Sequence, residues 1–483
     1  MKQRLLLLFV VLSFSLDIVA QDDAKSFAEY YSKSSNDFNE MRNKANAEFA
    51  DYLKQAWEEF QVSMGKVDPL GNVPDKPEYY GEDLSYYPSL PAIPFCGDFF
   101  SGAEFPIMTD AISVSEMDAE SVSIDCFGIS TTIPFSNSLR ISRISAKEQD
   151  VSQGWSALSN ANFMPTVQAI ESFRNKYKFG DWAVYNIVKT ITDAVYVPEH
   201  INEKILTQMF FLSQMKYKVK VGAAGNQLVL LLPFSSQIYQ VPYINDSKDD
   251  YYMFSYERVN SQDPFYSFGD GFAIAQNKIE LIIEHPIMVS DDFYQLKMLT
   301  KWEPLFGESV AIPLNIPDVK FYLEYPQSDM QTYHSSKVDI ELRRAVLKAF
   351  KYKLIKEDMS TEQAVSFMLK VVQKGFDYKS DIEMFGRTKP LFVEESFFYG
   401  SNNCKDRVLI LSWLVKELLG LDVVAFLYQG HVALGINLPD EIKGDSYMYK
   451  GKRYVMCDPT YIGAPIGATM TMFRNVQPQI VEI

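Results

Sequence analysis

The segment from Ser401 to Thr460 constrains the chain most. One long helical pattern is followed there by three strand patterns, with a chemically capable side chain at each junction. Asn402 and Asn403 both suit a helix cap, and Asp406 then falls in the first turn, where a carboxylate favours the positive end of the dipole. Apolar residues recur at Val408, Leu411, Leu414, Val415, Leu418 and Leu419, close to helical spacing, and Gly420 supplies the stop. Val423 to Tyr428 is an apolar run with the length of a buried strand. His431 opens a second strand, Val432 to Leu438, and a third, Arg453 to Cys457, delivers Asp458. Cys404 therefore stands at a helix N-terminus, where partial positive charge favours thiolate over thiol. His431 is placed to take the Cys404 proton, and Asp458 to hold the imidazole tautomer.

At these residues the chain resembles the transglutaminase-like superfamily of cysteine enzymes, most closely its secreted bacterial members. The resemblance rests on Cys404-Lys405-Asp406-Arg407 at a helix start, Gly430-His431-Val432-Ala433 on a strand and Asp458-Pro459-Thr460 after a strand. It covers roughly Val338 to Gly467. It implies an α+β fold with a papain-like core, a helix then an antiparallel sheet. It also implies Cys404 as nucleophile, His431 as base and Asp458 as orienting acid, acting on a protein or peptide substrate. The reaction implied is acyl transfer. Peptide or isopeptide hydrolysis comes first, because nothing in the chain specifies an amine acceptor; protein crosslinking or deamidation is the alternative. From another class, a non-catalytic module would use the same cleft to hold peptide or cell-wall fragments. Many members carry an aromatic residue soon after the histidine, where this chain has Val432-Ala433-Leu434.

The remaining sequence sets this unit in a larger protein. A length of 483 residues implies more than one domain, and a formal net charge of −16 counts against a nucleic-acid partner. Residues 1–20 have the form of a secretory signal: Lys2 and Arg4, an apolar stretch from Leu5 to Leu16, and Ala20 before the cleavage point. The mature chain is expected to be secreted or periplasmic, with no later segment long enough to span a membrane. Residues 21–64 form a helix whose aromatic-rich face packs across the body of the protein or, alternatively, binds a partner. Residues 65–98 are a linker rich in Pro and Tyr. Residues 99–145 are a small β-rich module with strands at Ser121 to Ile124 and Ile129 to Phe135. Cys96 and Cys126 are either a disulfide or two buried thiols; Cys404 and Cys457 stay unbridged if the triad is right.

Residues 146–255 carry helical patterns at Met164 to Tyr177, Trp182 to Val195 and Asn202 to Met215. Strands follow at Tyr217 to Val221, Gln227 to Leu232 and Gln237 to Tyr243. The order repeats that of residues 336–483 and predicts an internal duplication. Gln227 aligns with His431, and His200 rather than a cysteine falls at the position of Cys404. A glutamine is no base at neutral pH, so this first copy is degenerate and buttresses the second or walls its cleft. Residues 256–335 form a β-rich connecting module, with strands at Lys278 to Ile283, Tyr294 to Leu299 and Val310 to Asn315. His285 and His334 have no partners at metal-ligand spacing, so neither a metal nor a cofactor is expected. Residues 336–483 are the catalytic domain. It begins with a helix from Asp339 to Lys353 and another capped by Ser360 with Gln363. A long loop, Asp381 to Ser401, leads into Cys404 as a cleft wall. Within it Tyr399 either donates to an oxyanion beside the Cys404 amide or helps pin the loop.

Overall fold

The computed structural model describes residues 121–245, 248–257, 265–267 and 275–483. The expected signal peptide, N-terminal helix, linker and the first part of the 99–145 module lie outside the described residues, as does Cys96. The chain is mixed α and β and forms two compact units. The first holds the described residues up to Leu281 together with Glu324–Ser328. The second holds Ile282–Leu323 and Asp329–Ile483. Residues 256–335 are thus divided between the two.

The first unit begins with an antiparallel hairpin, β1 (Ser121–Cys126) and β2 (Ile129–Pro134). Alternation turns Val122, Ile124 and Cys126 inward. Phe127 and Gly128 make the turn with φ of 60° and 83°, the positive pair that matches the twist of the strands. Four helices follow: α1 (Glu148–Asn160), α2 (Met164–Tyr177), α3 (Asp181–Val195) and α4 (Ile201–Gln214). From Trp182 to Val188 every residue of α3 is buried, as befits a helix apolar on nearly every face. Five strands complete the unit: β3 (Lys220–Ala224), β4 (Gln227–Pro233), β5 (Tyr243–Asn245), β6 (Asp250–Phe254) and β7 (Phe265–Ser267). They form one sheet in the order β5-β6-β4-β3-β7, each neighbour antiparallel. Of the expected strand Gln237 to Tyr243, only Tyr243 enters it, as the first residue of β5. Ser235 and Ser236 favour bends and Pro242 lacks a ladder donor, so before Tyr243 the segment makes an isolated bridge, Ile238 to Ser328. Lys278 to Ile283 likewise makes only an isolated bridge, Ile279 to Phe234.

The second unit opens with β8 (Tyr294–Met298), α5 (Glu303–Phe306) and β9 (Ala311–Asn315), the two strands paired antiparallel. Next come α6 (Ile316–Leu323), α7 (Met330–Ser335), α8 (Ile340–Lys356) and α9 (Thr361–Gly375). Ser360 caps α9 in a reciprocal box with Gln363, the N–H bonds being 3.3 and 2.9 Å. The expected loop from Asp381 to Ser401 is largely ordered structure. β10 (Asp377–Tyr378) pairs in parallel with β11 (Ser401–Asn402), and between them lie α10 (Asp381–Phe385) and α11 (Val393–Tyr399). Ser380 with Glu383 is a capping-box signal that starts α10.

α12 (Cys404–Leu419) follows, ended by Gly420 at a φ of 63°. It packs on α9 and on a second five-stranded sheet. The strands are β12 (Val423–Tyr428), β13 (His431–Ile436), β14 (Ser446–Tyr449), β15 (Lys452–Cys457) and β16 (Gln479–Glu482). Their order is β14-β15-β13-β12-β16, again antiparallel throughout. Numbered along the chain, the strands of both sheets run third, fourth, second, first, fifth. β12 and β13 are buried along their whole length. Val424, Phe426 and Tyr428 join Met456, Met470 and Phe473 in one apolar cluster, and each such side chain contributes about 1.5–3 kcal/mol. Gly435 is required where it stands, since a Cβ there would lie 2.4 Å from Phe426 Cζ.

Candidate active site

The start of α12 is built by buried polar contacts. Asn403 is extended and precedes the first helical residue, Cys404. The Asp406 carboxylate accepts from the N–H of Asn403 at 3.1 Å and of Leu391 at 2.9 Å, joining the helix to the segment before it. Asp381 accepts from Asn403 Nδ2 (2.7 Å), Lys405 Nζ (2.7 Å) and the Lys389 N–H (2.9 Å). Lys405 Nζ also donates to Asn403 Oδ1 at 2.9 Å, and Lys389 Nζ pairs with Glu395 at 2.5 Å. Every member is buried, so this network holds the helix N-terminus in one geometry.

His431 is the first residue of β13 and pairs with Tyr428 across the turn. Gly430 closes that turn at a φ of 75°, which a side chain would resist. Asp458 follows β15 directly. Its Oδ2 lies 2.8 Å from His431 Nε2, and its Oδ1 accepts from the N–H groups of Thr460 (2.8 Å) and Tyr461 (3.2 Å). Nε2 is thereby engaged by the carboxylate, which leaves Nδ1 for the Cys404 sulfur. Burial works against the imidazolium. The Asp458 charge and hydrogen bond, with the hydrogen bond and charge of Cys404, outweigh it and lift His431 from 6.5 to about 10. The three side chains are brought together and almost closed to solvent: Cys404 is 1 %, His431 4 % and Asp458 3 % exposed.

Further residues shape the site without having been singled out in the sequence. Phe473 lies flat against the His431 ring, with centroids 5.3 Å apart and planes 2° apart, and stacks on Tyr428 at 4.5 Å. No local signal marks Phe473; only the fold brings it there. Arg407, fully buried, donates from Nε to Asn402 Oδ1 at 3.0 Å and from Nη2 to the Phe376 carbonyl at 3.0 Å. Tyr399 is the last residue of α11, edge-on to Phe385 and Phe398, and burial with the Glu395 charge raises its phenol. Cys126 and Cys457 are buried thiols without a disulfide among the described residues, which leave out Cys96; burial pushes Cys126 up to about 12 and raises Cys457 as well. Among the described residues no group of three or more His, Cys, Asp or Glu side chains is arranged to hold a metal. No described helix is long and apolar enough to cross a membrane.

The first unit carries different residues at the matching points. Gln227 opens β4 opposite Ala224, as His431 opens β13 opposite Tyr428. His200 precedes the first residue of α4, Ile201, so it matches Asn403 rather than Cys404, one place from the expected alignment. Ser255 follows β6 as Asp458 follows β15.

In comparisons with protein-family models, with curated proteins and with solved structures, none matched the chain.

Proposed function

We propose that the second unit is a transglutaminase-like cysteine enzyme with a papain-like core, and that it hydrolyses peptide or isopeptide bonds. One observation carries the reading: a buried histidine held between a carboxylate and a cysteine at a helix N-terminus. In this mechanism Cys404 Sγ attacks the acyl carbon while His431 holds the thiol proton. The C–N bond breaks, the amine leaves with the proton from His431, and a thioester remains. Water then attacks, His431 takes its proton, the C–S bond breaks, and the acid and free thiol are released. An amine in place of water gives crosslinking by the same route. The near-complete burial of Cys404 favours a second reading, in which the fold is kept as a non-catalytic peptide-binding module.

The duplication belongs to the same proposal. Support comes from the shared strand order and from the fourth helical residue of α4 and α12, each a buried cation. Lys204 pairs with Asp193 of α3 at 3.0 Å, and Arg407 bonds the Gln373 carbonyl of α9, three helices before its own, at 3.3 Å. With Gln227 in the histidine position, the first copy has no base and acts as a scaffold. Export of the mature chain rests on the residues 1–20 pattern, and N-terminal sequencing of the exported protein would then begin at Gln21.

A peptide substrate carrying a fluorogenic amide, screened across side-chain classes, tests the enzyme reading. Turnover that disappears in both Cys404→Ser and His431→Ala supports it. Tight peptide binding without turnover, unchanged by either variant, favours the binding module.

A further inference from the structure

Gln373 lies two residues before the end of α9, is 2 % exposed, and spends its whole side-chain amide on one loop. Its Nε2 donates to the carbonyls of Asp458 (3.1 Å), Tyr461 (2.9 Å) and Ala464 (3.1 Å). Its Oε1 accepts from the Gly463 N–H at 3.2 Å. Two N–H bonds serve three carbonyls, so one is shared. The loop so gathered is the one that aims Asp458, because Thr460 and Tyr461 present their N–H groups to Asp458 Oδ1. Tyr461 is therefore bonded on both sides, its N–H to the carboxylate and its carbonyl to Gln373. Arg407 Nη1 closes the circuit from α12, reaching the carbonyls of Gln373 (3.3 Å) and Pro459 (3.4 Å).

We propose that Gln373 is a positioning residue for the triad, fixing the 458–464 loop and through it the Asp458 carboxylate on His431 Nε2. The proposal rests on the triad reading given above. A side chain that merely filled space at the end of α9 would not need both ends of its amide on the same loop. Without the amide, the carbonyls of Asp458, Tyr461 and Ala464 are left buried and lose a donor. The loop then relaxes, and the carboxylate loses its fixed distance to the ring.

The test is the titration of the four histidines of the full chain by NMR, assigned with single histidine substitutions. The titratable groups that face His431 are Asp458 and Cys404. In the wild type His431 is expected to keep its proton above the ordinary histidine range. In Gln373→Met, which has the length but no donor, its proton affinity is expected to fall at least about tenfold, one pH unit. Gln373→Leu, which removes the donors and the acceptor without adding a charge, is expected to act in the same direction. Either folded variant suffices. A lowered unfolding midpoint with the His431 titration unchanged from wild type would overturn the proposal and leave Gln373 a structural clamp. An ordinary His431 titration in the wild type would instead refute the triad reading.

Discussion

Replacing Asp458 by Asn removes the charge that keeps His431 protonated while leaving the loop geometry nearly intact. The Asn carbonyl oxygen still accepts from Thr460 and Tyr461, but its amide presents an N–H to Nε2 and holds the ring as the other neutral tautomer. The rise of His431 from 6.5 to about 10 is net of the burial that opposes it, and at about 1.4 kcal/mol per pH unit it corresponds to about 5 kcal/mol of net preference for the imidazolium. Breaking one side of a buried pair costs about 3–5 kcal/mol, in the same range. The sign follows from proton counting. Below pH 6.5 the imidazole is protonated in both folded and unfolded chains, and the pair contributes in full. Between 6.5 and 10 the unfolded chain releases a proton that the folded chain keeps, so the contribution declines, and above 10 it is gone. Asp458→Asn is therefore expected to cost about 3–5 kcal/mol at pH 6 and much less at pH 10. Urea unfolding of both proteins at the two pH values measures this, and taking the difference cancels other titrating groups. An equal cost at pH 6 and pH 10 would refute the reasoning.

Glu394 is raised to about 8, first by burial and then by the Asp339 and Glu395 charges, against the Asp339 N–H it accepts at 2.7 Å. Stability is lost as pH rises from 4.5 to 8, so Glu394→Gln should gain about 2–4 kcal/mol at pH 9 and nothing at pH 4, read as urea midpoints. Lys405→Met leaves Asp381 without its buried cation and should cost about 3–5 kcal/mol in the same assay. Gly435→Ala drives a Cβ into the Phe426 ring and should cost about 1–3 kcal/mol, seen as a lower thermal midpoint.

Much of the site was legible because its signals are local. α12 begins where Asn403 and Asp406 announce a start and ends at Gly420, and the turn at Gly430 puts His431 first on its strand. The outer strands were not legible. Ser446–Tyr449, Gln479–Glu482 and Phe265–Ser267 are short edges whose pairing is decided by tertiary neighbours more than by their own residues. The segment before Cys404 reads as a long loop because its two helices, Asp381–Phe385 and Val393–Tyr399, are too short to show a helical period. Its order comes from the Asp381 and Asp406 contacts to residues distant in sequence. Phe473 and Gln373 had no one-dimensional signal at all: Gln373 meets Asp458 across 85 residues, and its spacing on α9 reads as core.

The most direct test of the account is the rate at which iodoacetamide modifies Cys404 at pH 6, in the wild type and in His431→Ala, resolved from Cys126 and Cys457 by peptide mass. The account predicts that Cys404 is modified far faster than Cys126 and Cys457, although all three are buried, and that the advantage falls at least about tenfold without the histidine. Equal rates in the two proteins, or a Cys404 no more reactive than Cys457, would contradict it.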